Sequence, residues 1–177
     1  MALFLITAPS GSGKTTVANF LGRVWKECIS HTTRPMRDGE EDGVTYYFKT
    51  KEEFEKIEMI EKVTYDGNLY GLSKFEVNDV LSSNSHAYVI VEHEGYKQIK
   101  EKYPQAVGIF LYMSKEDCLA NMLLRGDSLD KAMKRIELYD DEIKNRGDYD
   151  YVVKNVRDRL PYTGNVIKGI VGQYSKF

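Results

Sequence analysis

Little in this chain points outward. Its only cysteines, Cys28 and Cys118, stand far apart and lack metal-ligand spacing. That excludes a disulfide framework and a zinc site and predicts idle thiols in a reducing compartment. No long apolar run occurs and the mean hydropathy is −0.47, so no membrane span or membrane partner is expected. The charge is nearly balanced, 25 Lys and Arg against 27 Asp and Glu, a net −2. No nucleic-acid partner is therefore expected, and any phosphate recognition must come from local clusters. The first residues carry no basic stretch or cleavage site, so the expected location is the cytoplasm. The histidines His31, His86 and His93 are scattered, and the single tryptophan, Trp25, falls late in an amphipathic helix, where it reads as packing.

With 177 residues and no repeat, low-complexity tract or Pro/Gly-rich linker, the chain is sized for one α/β domain. Periodicity predicts a helix from Lys14 to about Trp25, with Val17, Phe20, Leu21 and Val24 on one face. A short strand is expected around Cys28-Ile29-Ser30. Residues 32–72, with charged turns and β-like pieces, read as a mostly β insertion. Ser73 to Leu81 reads as helix, and the continuous apolar run Ala87-Tyr88-Val89-Ile90-Val91 as a central parallel strand covered on both faces. Helix 95–102, strand 106–112 and a helix from about 115 follow. The charged stretch 125–148 is expected to carry one long helix, before strand Tyr151-Val152-Val153 and a final helix over 158–172. Alternating strand and helix predicts a parallel sheet flanked by helices.

Chemistry first appears directly behind the apolar run Leu3-Phe4-Leu5-Ile6. There Ala8-Pro9-Ser10-Gly11-Ser12-Gly13-Lys14-Thr15 has the strand, glycine loop and Lys-Thr of a P-loop. Small residues let the loop Ser10-Gly11-Ser12-Gly13 wrap a polyphosphate with its N–H groups, and the helix that follows offers its positive end. Lys14 supplies a mobile point charge and Thr15, followed by Thr16, a hydroxyl for Mg²⁺; the donor implied is ATP. Ala8 stands where the pattern has glycine, which is acceptable if its φ is negative.

A second cluster runs Ser30-His31-Thr32-Thr33-Arg34-Pro35-Met36-Arg37-Asp38-Gly39-Glu40, then Gly43-Val44-Thr45-Tyr46-Tyr47-Phe48. Glu61 and Gly67-Asn68-Leu69-Tyr70-Gly71 lie downstream. Two arginines three residues apart, with two tyrosine hydroxyls, make a competent phosphate clamp. With these motifs the chain resembles the guanylate kinase family over nearly its whole length. The resemblance extends to the arginine-bearing segment after 124 and to Val152-Val153-Lys154-Asn155.

The resemblance implies a P-loop core (1–29, 73–124 and 149–177), a monophosphate-binding insertion (30–72) and a lid (125–148). It implies Mg²⁺- and ATP-dependent phosphorylation of a nucleoside monophosphate, GMP or dGMP, by a monomer or homodimer. Arg34, Arg37, Tyr46 and Tyr70 match residues that hold the acceptor phosphate. Ser30 and Glu61 match groups facing guanine, and Glu92 an acid that reaches its amine. Arg125 and Arg135 match lid arginines that swing onto the transferred phosphoryl group, and Asn155 a residue near the adenine of ATP. Catalysis would then rest on Lys14, Arg34, Arg125 and Arg135.

Several positions depart from the family pattern. Ile90 replaces the first acid of a pair whose second is Glu92. Leu72 stands in place of a hydroxyl of the base pocket, and Asn121 in place of a further lid arginine. The span from Lys14 to Arg34 is short. These changes fall on the base pocket and metal periphery, so relaxed base selectivity is expected. Two other readings stay open: the same chemistry on another nucleotide or a phosphorylated sugar, and a non-catalytic interaction module. The intact Gly13-Lys14-Thr15 counts against the module.

Overall fold

The computed structural model describes residues 1–65, 67–84 and 86–174. Its centre is strand β1 (Ala2–Thr7), followed by α1 (Lys14–Leu21) and a two-residue strand β2 (Lys26–Glu27). Strands β3 (His31–Thr32) and β4 (Tyr47–Phe48) come next, then the short helix α2 (Lys51–Phe54) and the hairpin β5 (Met59–Tyr65) and β6 (Asn68–Ser73). The chain continues through α3 (Lys74–Ser83), β7 (His86–Ile90), α4 (His93–Lys102), β8 (Val107–Tyr112) and α5 (Lys115–Leu124). Helices α6 (Leu129–Glu137) and α7 (Tyr139–Lys144), a 3₁₀ turn (Asn145–Asp148), β9 (Tyr151–Lys154) and α8 (Leu160–Gly172) complete it.

The main sheet has the order β2-β7-β1-β8-β9, and every pairing in it is parallel. Alternating side chains of β1 serve opposite faces. Leu3 and Leu5 enter a cluster with Val77, Val89, Tyr96, Ile99 and Phe110, while Phe4 and Ile6 enter one with Val17, Leu21, Ile109, Ile167 and Val171. Both faces of the sheet are thus closed by helices, and the C-terminal ends of its parallel strands lie along one edge. In open α/β sheets that edge is where ligands bind, at the crevice where the strand order reverses. The second sheet, β4-β3-β6-β5, is the insertion, mixed in direction with β3 parallel to β4 and antiparallel to β6.

The expected strands and helices are present, with local corrections. Helix α1 stops at Leu21 because Gly22 follows, and Val24 and Trp25 lie in the turn beyond it. Trp25 packs half-buried against the core, as its position suggested. The strand expected at 28–30 instead pairs at Lys26–Glu27, extended by one hydrogen bond from Cys28 N–H to the Tyr88 carbonyl at 2.8 Å. The segment 125–148 is not one helix. It breaks at Leu138 into α6 and α7, which lets Ala132, Ile136 and Tyr139 pack on Met113, Cys118 and Met122. Cys28 and Cys118 are buried, unbridged and pushed up to about 12 by burial. Among the described residues, no helix is long and apolar enough to cross a membrane.

Candidate active site

The loop between β1 and α1 takes its shape from Gly11 and Gly13, both left-handed with φ near +80° and +83°. A Cβ on Gly11 would sit 2.3 Å from the Cys118 carbonyl oxygen, so no side chain fits there. Ser12 closes the turn through its N–H and hydroxyl, at 3.2 and 2.6 Å from the Pro9 carbonyl. Ala8 is buried with no positive φ and meets the condition set by its sequence. No acidic side chain lies in the first turn of α1, so its positive end is left for an anion. The amides of Asn121 and Asn155 lie behind the loop, each 2.9 Å from a loop carbonyl, Gly11 and Ser12 respectively. Asn155, which the resemblance put near adenine, is thus buried against the back of the loop.

Lys14 Nζ pairs with Glu92 Oε1 at 2.7 Å. Glu92 directly precedes α4, beyond the C-terminal end of β7, and its side chain makes no cap bond to the helix, which brings an acid from a separate strand to the loop. Its charge reaches Tyr46 in the insertion and Glu142 on α7. Glu142 faces the loop at Ser10. Burial first, then the Glu92 charge, pushes its pKa up to about 7 against the pull of Lys14, the Ser10 N–H and Arg135. Its Oε2 is buried without a hydrogen-bond partner.

On the insertion, Arg34 is 9% exposed and held bidentate by Glu40 at 2.7 and 3.0 Å. Glu40 also accepts the Arg37 N–H at 2.8 Å, while the Arg37 side chain is exposed. The Arg34 guanidinium lies 5.7 Å from the ring centres of Tyr46 and Phe48, and Tyr46 packs edge-on to Tyr70. The Tyr70 hydroxyl lies near enough to Arg34 to help raise the pKa of its guanidinium, after Glu40. Arg34, Tyr46 and Tyr70 are therefore one cluster, as the clamp requires.

Glu61 is 4% exposed, and its Oε2 has no partner. Burial raises its pKa to about 7, only partly offset by the Leu72 N–H and by Lys102. A Cβ on Gly95, in the first turn of α4, would lie 3.2 Å from Oε2, so the carboxylate rests on the helix end that Glu92 precedes. Leu72 offers Glu61 only its backbone; its side chain is fully buried in the core under α3. Ser73 faces away from the pocket and caps α3 through Glu76 N–H at 3.1 Å. Ile90 lies beside Ile6 in the strand register and packs toward α1 and α8.

Ser30 is held by its own backbone, its carbonyl accepting the Tyr47 N–H at 2.9 Å. Sequence reasoning missed the group that fixes this junction. Glu76, 5% exposed, accepts the Ile29 N–H at 2.8 Å and the Tyr47 hydroxyl at 3.1 Å, tying the insertion to the core. The signal was Ser73 three residues before Glu76, a capping-box pattern whose acid is here diverted to another element. Arg125 and Arg135 both turn to Asp127, Arg125 through Nε at 3.0 Å and Arg135 at 3.9 Å. The hydrogen bond from Arg125 holds the Asp127 carboxyl well below its usual range.

A glycine loop at the C-terminal edge of a parallel sheet, with a lysine at its end and an arginine–tyrosine clamp on an inserted sheet, defines a P-loop kinase. The chain matches the family model described as guanylate kinase over residues 1–165, and it belongs to that family. It is 36% identical to the guanylate kinase of Oceanobacillus iheyensis over 178 residues, covering 96% of this chain and 85% of that protein. It is 37% identical to the Vibrio parahaemolyticus enzyme over 164 residues, covering 86% and 79%. The crystal structure of guanylate kinase from Anaplasma phagocytophilum aligns with a TM-score of 0.76 at 27% identity, covering 99% of this chain and 87% of that one. A shikimate kinase from Bacteroides thetaiotaomicron, 12% identical with a TM-score of 0.53, shares the fold alone.

Proposed function

We propose that this protein transfers the γ-phosphoryl group of ATP to GMP or dGMP, giving ADP and the guanosine diphosphate. The observation that carries this reading is Glu92, which pairs with Lys14 of the donor loop while its charge reaches Tyr46 of the acceptor clamp. Glu92 thus sits against the donor loop and within electrostatic reach of the acceptor clamp. An oxygen of the acceptor phosphate attacks the γ-phosphorus as the bond to the β–γ bridging oxygen breaks, so no protein nucleophile is needed. Arg34, with Arg37, Tyr46 and Tyr70, holds the acceptor phosphate in line, and the loop N–H groups with Lys14 hold the donor.

Arg125 and Arg135 add charge at the transferred group once they exchange Asp127 for it, which requires the lid to move and shuts out competing water. Glu61 faces the guanine, where a carboxylate accepts from N1–H and the exocyclic amine; Ser30 and Glu92 complete that side. Mg²⁺ fits an exposed Thr15 hydroxyl in the first turn of α1, since this ion keeps most of its water and takes few protein oxygens. When bound it supplies neutralisation of the β- and γ-phosphate oxygens.

The test is turnover with ATP over GMP, dGMP, AMP, CMP, UMP and dTMP. Guanine monophosphates should lead the series. Equal rates across bases would sink the assignment of Glu61, and no turnover with any of them would sink the reading as a nucleotide kinase.

A further inference from the structure

The phosphate loop is clasped from behind by two neutral amides. Asn121 Nδ2, from the last turns of α5, donates to the Gly11 carbonyl at 2.9 Å, with Met113 Sδ 3.3 Å away. Asn155 Nδ2, just past β9, donates to the Ser12 carbonyl at 2.9 Å. A carbonyl only accepts, so each asparagine must present its NH₂ group there. Asn155 is itself anchored twice. Its backbone N–H donates to the Tyr112 carbonyl at 2.6 Å, and its Oδ1 accepts the Thr163 hydroxyl of α8 at 2.7 Å. Asn155 and Thr163 are 5% and 3% exposed, so water does not compete for these bonds. The fit leaves no slack: a Cβ on Gly13 would lie 2.5 Å from Asn155 Nδ2.

The geometry has a direct consequence for the other side of the loop. In a trans peptide the carbonyl and the N–H point in opposite directions. Holding the Ser12 carbonyl backward therefore turns the Gly13 N–H forward, at the start of α1. Holding the Gly11 carbonyl fixes the neighbouring plane, whose Ser12 N–H closes the turn on Pro9. We propose that Asn121 and Asn155, the latter locked by Thr163, are positioning residues that hold the loop in its phosphate-binding shape before ATP arrives, Asn155 by turning the Gly13 N–H forward and Asn121 by fixing the turn that closes on Pro9. This rests on the reading of the loop as the donor site. It gives Asn155 a task directed at the polyphosphate, and it gives Asn121 a task of its own.

The experiment compares Thr163→Val, Thr163→Ser and Asn121→Ala with wild type and with Lys14→Ala. For each, KM for ATP and for GMP, kcat, the calorimetric Kd of ADP and the melting temperature are measured. Thr163→Val and Asn121→Ala should each raise the ADP Kd and the ATP KM about fivefold, as expected for one hydrogen bond lost behind the loop. The GMP KM should stay within about twofold, and Thr163→Ser should restore wild-type values because the hydroxyl returns. A merely structural role would lower the melting temperature without this split between substrates. Should Thr163→Val fail to fold, Asn121→Ala decides alone. Wild-type ADP binding in the folded variants, with turnover lost in Lys14→Ala, overturns the positioning role and leaves the donor site standing. Full turnover in Lys14→Ala overturns both.

Discussion

On the proposed reading of this site, its donor and acceptor halves are built from different materials. The donor loop is backbone held by backbone and by neutral amides: Ser12 on Pro9, Asn121 on Gly11, Asn155 on Ser12. The acceptor clamp is held by charge, Arg34 on Glu40, with tyrosines packed around the pair. The lid repeats the second pattern, with Arg125 and Arg135 on Asp127. A neutral clasp stays in place when an anion enters. An ion pair presents a cation already desolvated and already turned inward, and its carboxylate can yield to a phosphate. Apart from the Lys14–Glu92 pair, the donor half is held by neutral groups, whereas the acceptor clamp and the lid are salt-bridged.

The sharpest way to break this contrast is Lys14→Ala, since Lys14 is the one charged side chain of the donor loop. Loss of such a stabilising donor is worth about 3–4 kcal/mol in the transition state, so kcat should fall by a factor of several hundred or more. The fold should survive, because the Lys14–Glu92 pair is partly exposed. Turnover together with a thermal melt checks it. Near wild-type kcat would place the donor elsewhere.

The next effect tests whether the base side belongs with the charged half. Glu61 has a folded pKa of about 7 against 4.5 for the free carboxyl, with burial the first cause. Because the folded pKa is raised, the native state binds more protons than the unfolded state between these values. Stability is therefore fully present below the lower value and is lost as pH rises through about 7. The loss amounts to on the order of 3 kcal/mol. Glu61→Gln should flatten denaturation curves measured from pH 4 to 8 and be relatively more stable at the alkaline end. It should also lower the GMP-to-AMP ratio of kcat/KM, for want of the charged acceptor. An unchanged slope and an unchanged ratio together would remove Glu61 from the base pocket.

Arg34→Ala should cost about 2 kcal/mol of acceptor binding, roughly thirtyfold in the GMP KM, with little change in the ATP KM. Tyr70→Phe should follow the same direction more weakly, since only one neutral hydroxyl is lost. Separate titrations of the two substrates decide it; a rise in the ATP KM instead would exchange the assignments of the two halves.

The same contrast explains what the chain disclosed before folding. A loop that works through its backbone must have small residues at set spacings, so Gly11, Gly13 and Lys14 announce themselves. Arg34, Tyr46 and Tyr70 stood out only as parts of a longer pattern, because an isolated arginine reads as a solvated charge. Strands buried on both faces, such as 87–91, were plain for a similar reason: continuous apolar residues leave few alternatives. The break of the lid at Leu138 was not, since its cause is the packing of Tyr139 on Met113, distant in sequence. Nor were Asn121 and Glu76, whose partners lie 110 and 29 to 47 residues away, nor Glu142, which faces Ser10 from the far end of the chain. Leu72 looked like a change to the base pocket and proved to be core, so Leu72→Ser would open a cavity there before it changed any selectivity.

The smallest predicted effect lies where the lid segment faces the donor loop. Glu142 is a charge on the neutral side, facing the loop at Ser10. ATP brings further negative charge to the same place, so an ionised Glu142 opposes it by about 1 kcal/mol, roughly fivefold in affinity. The groups around it are Glu92, Lys14, Arg135 and the Ser10 N–H; burial and then Glu92 set its pKa near 7. Below that value Glu142 is protonated and the opposition fades. Glu142→Gln should therefore bind ATP about fivefold tighter than wild type at pH 8 and no tighter at pH 6, where both side chains are neutral. Calorimetric titration at the two pH values is the measurement. An equal gain at both would mean that the side chain acts by shape, and a loss at pH 8 would mean that the carboxylate helps the loop to hold ATP. Either result would return Glu142 to the structural side of the comparison, and with it the idea that the donor loop tolerates no fixed charge but Lys14.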